Sequence, residues 1–168
     1  MMSRHGQQSR GRGAGYHGGS GVGVKAPRVG GSKGTALFDP SKSDAELFDA
    51  LAEKQADSFE EQINSSQLRR FFGEVKELYR RYDSLTRGKE EDECARVYAR
   101  QIEPLFKMIR SKVAYASRQG GQSKIPEEFA GFLSAGVDSV KNHKDFRRFV
   151  MHFEAVVGFM YGNGKVSR

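Results

Sequence analysis

The segment from Asn64 to Tyr82, NSSQLRRFFGEVKELYRRY, carries five basic side chains and two glutamates. At about 100° per residue on a helix, Arg69, Gly73, Lys76 and Arg80 fall on one line that meets no acid before Asp83. Glu74 and Glu77 share the neighbouring line with Arg70 and Arg81, where i,i+4 pairs such as Glu77–Arg81 can form. One line is neutralised from within the helix and the other is not. Uncompensated cations at helical spacing suit a run of phosphates, the main source of sequence-independent affinity for nucleic acid. Gly73 costs about 1 kcal/mol relative to alanine in a helix interior; a close approach of another backbone would explain it. The plainer reading is a solvated helix face.

A second concentration is KMIRSKVAYASRQGGQSK, Lys107 to Lys124, with five basic residues and no acid. Lys107, Arg110, Ser111 and Arg118 are expected to project away from the apolar Ile109/Val113 face, with Tyr115 beside them; Lys112 is a further cation of the stretch. Tyr115 can stack on a base, Gln119 and Gln122 add polar contacts, and Gly120-Gly121 lets a backbone come near. Basic residues with an interleaved aromatic suit a sugar–phosphate track; otherwise Tyr115 is half-buried core among solvated charges. Lys141, His143, Lys144, Arg147 and Arg148 form a third cluster, where a helix N-terminus could help to hold phosphate. The residues expected to bind RNA are thus Arg69, Arg70, Lys76, Arg80, Lys107, Arg110, Lys112, Tyr115, Arg118, Gln119, Arg147 and Arg148.

Little in the chain suits catalysis. His5 and His17 lie in a glycine-rich tail, which leaves His143 and His152, and no HExxH or paired His/Asp metal spacing occurs. Arg147-x4-His152 fits the loose pattern of helical HEPN ribonucleases, but on a helix His152 aligns with Arg148 instead. The acids Glu90 to Glu93 read as partners of a helix dipole. No catalytic residue, metal or cofactor is expected.

The elements that must carry these residues are helices. From Ser43 onward apolar residues recur at helical spacing, and no segment alternates long enough for a strand. A first helix over 43–57 opens with the capping box Ser43/Glu46. The second starts at Asn64, with Ile63 stapled onto Leu68. A third stretch runs from about Glu90 to Arg118 with a kink or break at Pro104. The fourth opens with Pro126 at its first position, and the last carries Phe146, Phe149, Val150, Phe153, Val157 and Met160, with Gly162 just past its end. The expected fold class is all-α, a compact bundle of about five helices.

Residues 1–38 form a basic, glycine-rich tail expected to be disordered, because it cannot bury enough apolar surface to offset its ordering entropy. The helical domain is 39–168. The 168-residue chain has a net charge of +7, spread as +6 over 1–38, −6 over 39–61 and +7 over 62–168. The helical part after residue 61 is basic in its own right, which points to a polyanionic partner. No apolar run is long enough to span a membrane and no secretory leader is apparent. Cys94 is the only cysteine. A cytoplasmic setting is expected.

INSSQLRRFFGEVKELY and LFKMIRSKVAYASRQG, followed by FRRFVMHFEAVVGFMYG, resemble the small subunit of type III-A CRISPR–Cas (Csm) effector complexes over about residues 62–162. In that pattern Arg69 and Arg70 occupy a Gln-Leu-Arg-basic motif. Lys112, Tyr115 and Arg118 occupy a Lys-x-Ala-Tyr-x-x-Arg motif, with Ser117 where glycine is expected. The resemblance implies a helical, non-nuclease protein that self-associates into a stacked filament among the other Csm subunits. Its copies would line the groove for guide RNA and target RNA and touch mainly phosphate backbones. The tail and the acidic first helix fall outside the pattern. Two alternatives are a ribonuclease using Arg147 and His152, and an interaction bundle that docks its acidic helix on a basic neighbour without touching RNA.

Overall fold

The computed structural model describes residues 37–118 and 124–168. Residues 1–36 of the glycine-rich tail, and Gln119, Gly120, Gly121 and Gln122, lie outside the described residues. Five helical stretches form the bundle, three of them unbroken.

The acidic stretch is α1 (Asp44–Phe48) followed by α2 (Ala50–Asp57). Its capping box is formed: the Ser43 hydroxyl accepts from the Glu46 N–H at 3.3 Å, and Glu46 Oε2 accepts from the Ser43 N–H at 3.1 Å. The expected single helix over 43–57 is interrupted at Asp49 (φ −122°, ψ −97°). There the carbonyl of Leu47 is taken by His152, whose Nδ1 donates at 2.6 Å. Phe38, assigned to the tail by composition, is buried against Phe149 and His152, so packing begins before residue 39.

α3 (Ser65–Thr86) starts where Asn64 accepts from the Ser66 N–H at 2.9 Å. Leu68, Phe71, Val75 and Tyr82 are its buried face, and Gly88 (φ +73°) makes the turn beyond it.

The third stretch is α4 (Glu91–Val97), a π turn (Tyr98–Ile102), α5 (Glu103–Lys107) and α6 (Ile109–Ala116). The break expected at Pro104 is spread upstream. Proline has no N–H for the ladder, and the Glu103 N–H instead reaches five residues back to Tyr98. Met108 then separates α5 from α6. Segments this short are not stable alone; Tyr98, Ile102, Phe106, Ile109 and Val113 bury them in the core.

α7 (Glu127–Ser139) is mostly buried. Pro126 is its N-cap rather than its first helical residue, since its ψ of 143° is extended; this keeps Ile125 and Pro126 themselves inside. α8 (His143–Gly162) is capped by Asn142, which accepts from the N–H groups of Lys144 and Asp145, both at 2.9 Å. Gly162 is still helical, and the left-handed residue past the end is Gly164 (φ +68°). The Lys165 N–H bonds the Met160 carbonyl at 2.8 Å and the Gly164 N–H bonds that of Tyr161 at 3.4 Å, a Schellman closure. The turn delivers β2 (Val166–Ser167) parallel to β1 (Ile63–Asn64), in register Ile63–Val166 and Asn64–Ser167. Two-residue strands are too short for period-two alternation to reveal.

α8 is the central element, packed on α1, α2 and α3, and α7 packs on α6. Eight phenylalanines are fully buried, among them Phe132, Phe146, Phe149 and Phe153. At about 1.5–3 kcal/mol for each such side chain, this aromatic core does the work that short helices cannot. Phe149 also fixes the α7–α8 spacing: a Cβ on Gly136 would stand 2.2 Å from its ring.

Candidate nucleic-acid interface

α3 and α6 present their polar faces side by side. Lys112 Nζ on α6 is 2.8 Å from Glu74 Oε2 on α3, and Arg70 approaches the same carboxylate at 3.9 Å. Arg70 also acts electrostatically on Tyr115. Tyr115 is 64% exposed, which settles its placement against a half-buried core residue. The Arg118 guanidinium carbon lies 3.8 Å from its ring centroid. Hydrogen bonding and charge from Arg118 hold the Tyr115 hydroxyl below the usual tyrosine range. Arg70, Lys112, Tyr115 and Arg118 thus make one continuous face with Glu74 in its middle.

The division of charge along α3 differs from the expected one. Lys76 and Arg80, expected to lack acidic partners, each have one. Lys76 Nζ lies 2.8 Å from Glu154 on α8 and over the Phe72 and Tyr79 rings, at 5.9 and 5.8 Å from their centroids. Arg80 pairs with Glu77 at 2.5 Å, three residues back, where a Glu77–Arg81 pair was expected. A wheel drawn on one helix cannot contain Glu154, which arrives from another. Arg69, Arg81 and Arg147 are exposed and form no hydrogen bond or ion pair among the described residues. A Cβ added at Gly73 would meet nothing within 4 Å, so no close approach inside the described chain accounts for this glycine.

Two of the expected contact residues are spent on the fold. Lys107, expected to project outward, donates to the carbonyls of Val137 at 2.7 Å and Val140 at 3.2 Å, closing the C-terminus of α7. Arg148 donates to Asp44 at 2.6 Å, to the Pro40 carbonyl at 2.6 Å and to the Lys42 carbonyl, and pins the chain before α1 onto α8. Arg110 reaches across to Asp138 at 2.9 Å. The N-terminus of α8 is also occupied, because Asn142 takes its free N–H groups and Asp145 sits in its first turn. Lys144 pairs with Glu91 at 2.6 Å, which holds the Glu91 carboxyl below and the Lys144 ammonium above their ordinary ranges. Glu74 is the residue that sequence reasoning missed: its i,i+4 relation to Arg70 was legible, its reach to Lys112 was not.

Arg147 and His152 do not form a reactive pair. Arg147 is exposed, whereas His152 is fully buried, bonded to Leu47 and kept neutral by burial that lowers its pKa. Among the described residues no group of His, Cys, Asp and Glu is placed to hold a metal ion. No helix among them is long and apolar enough to cross a membrane.

No curated protein and no solved structure matches the chain. The family model described as Csm2 Type III-A matches residues 42–162. The match takes in the acidic α1 and α2, which the resemblance over 62–162 had left out, and so the part of the bundle pinned by Arg148 is part of the family pattern as well. Since this covers most of the sequence, the chain belongs to the Csm2 Type III-A family.

Proposed function

We propose that this protein is a non-catalytic, RNA-lining subunit whose α3–α6 face holds the phosphate backbones of paired guide and target RNA. Family membership makes the chain a subunit of a type III-A Csm complex. The observation that carries the finer reading is the continuous face of Arg70, Lys112, Tyr115 and Arg118, with the neighbouring residue Arg69 exposed and unpaired among the described residues. Its internal contacts are weak enough to yield. An exposed ion pair such as Lys112–Glu74 is worth about 0.2–1 kcal/mol, and an exposed cation–π contact about 0.5–1 kcal/mol. A hydrogen bond to a charged group, as from Arg118 to a phosphate oxygen, is worth about 1.5–3 kcal/mol. A phosphate of the duplex therefore draws the Arg118 guanidinium off Tyr115. Copies stacked along the duplex would repeat this face, with the acidic α1–α2 side of one near the basic side of the next.

The test is charge reversal at Arg70 and Arg118 in the full chain. Folding stability should change by less than about 0.5 kcal/mol, as for exposed sites generally. The slope of log affinity against log salt should fall in magnitude by about 1.8, for two phosphate contacts at about 0.9 each on a duplex. RNA crosslinking and a salt slope that both stay at the unsubstituted values would sink the assignment.

A further inference from the structure

A cleft of about 620 Å³ opens where α1, α3, α4 and α8 meet, away from the Arg70–Tyr115–Arg118 face. We propose that it binds a single unpaired nucleotide, with the base against Phe48, Tyr79 and Met151 and the phosphate on Arg147 and Lys144. The volume lies in the range of small-molecule sites, about 300–1,000 Å³. The cleft combines three kinds of surface that a nucleotide needs together. Met151 is 40% exposed, although it stands on the helix that carries Phe146, Phe149 and Phe153 into the core, and Phe48 and Tyr79 beside it are only half-buried. An aromatic and thioether floor accepts a flat, weakly polar ring.

The cations select the rest of the ligand. Arg148 is committed to Asp44 and two carbonyls, and Lys144 is held by Glu91, but Arg147 between them lines the cleft with no partner among the described residues. Because Asn142 already satisfies the first N–H groups of α8, the helix terminus does not compete for the anion; the two side chains receive it. Asp83 also lines the cleft; its Oδ2 takes Arg87 at 3.1 Å, and its Oδ1 can accept from an exocyclic amino group. Inorganic phosphate would meet the cations and leave the floor empty, and an uncharged ring would leave Arg147 unpaired.

The ligand could be a free mononucleotide or an unpaired nucleotide of an RNA strand. Calorimetric titration of the full chain with adenosine 5′-monophosphate, adenosine and inorganic phosphate tests the free form. Emission of a 2-aminopurine bulged from an RNA duplex tests the strand. We expect saturable nucleotide binding at least tenfold tighter than that of phosphate or adenosine. It should weaken about tenfold in Arg147→Ala and in Met151→Asp, both exposed sites where melting can verify the fold. A signal with the bulged strand alone, lost in Arg147→Ala, assigns the site to RNA; a signal with the monophosphate assigns it to the free form. Equal binding of phosphate and nucleotide, indifference to Arg147→Ala, or no binding in either arm overturns the proposal. Charge reversal at Arg70 and Arg118 should leave the monophosphate titration unchanged, so the two sites succeed or fail separately.

Discussion

At the start of α8 and at the end of α6 the chain sets basic residues beside aromatic ones, as FRRF in the first case and KVAYASR in the second. In the first, Arg148 is drawn in until its side chain is 22% exposed, bonded to two backbone carbonyls before α1 and to the Asp44 carboxylate that opens α1. In the second, Arg118 lies on an exposed tyrosine, and no acid among the described residues pairs with it. The residue types are the same, but the neighbours differ. Three oxygen acceptors that converge on one half-buried guanidinium hold it firmly; an exposed ring holds one loosely. The comparison separates cations that close the fold from cations left for a partner.

The largest expected effect that could break this separation is at Arg148. Arg148→Met should cost about 2–3 kcal/mol of unfolding free energy in urea titration, the scale of charged hydrogen bonds. No loss would return Arg148 to the partner-binding group. Lys107→Met should cost less, about 1–2 kcal/mol, because it strips two carbonyls at one helix end; an intact RNA salt slope in the same variant sharpens the distinction.

His152 and Arg147 extend the comparison to one helix, the former buried and the latter free. Burial holds the His152 pKa below its ordinary 6.5, so below that pH the unfolded chain takes up a proton that the folded chain refuses. Stability should therefore fall as the pH drops below about 6.5, by at most about 1.4 kcal/mol per pH unit from this group. His152→Gln should remove that slope, as followed by denaturation midpoints between pH 7 and 5. Asp39 and Glu46, whose carboxyls are held low by hydrogen bonds from Ser41 and Ser43, lose their contributions only at more acid pH.

The smallest stability effect has the opposite sign. Gly73→Ala should stabilise the free protein by up to about 1 kcal/mol, since nothing obstructs the new methyl group. If a nucleic-acid backbone comes close there, the same substitution weakens RNA binding. A gain in stability with unchanged affinity would remove Gly73 from the contact face.

Much of the architecture follows from local rules. The capping box at Ser43, the Asn64 cap and the helical spacing of apolar residues along α3 need only neighbouring residues, and each stands where its sequence signal predicts it. The misses share a cause. Asp49 interrupts the first helix where a carbonyl turns to His152, 105 residues away. Lys76 meets Glu154 across 78 residues, and Lys107 meets Val137 across 30.

Sequence alone determined the helical periodicity, the uneven charge and the motifs that match the family, because these depend on spacing along one chain. Tertiary structure decided which cations remain available. Ion pairing falls off over a few ångströms, and only the packed bundle puts Glu74 beside Lys112 and Asp44 beside Arg148 and leaves Arg147 without an ionic partner among the described residues.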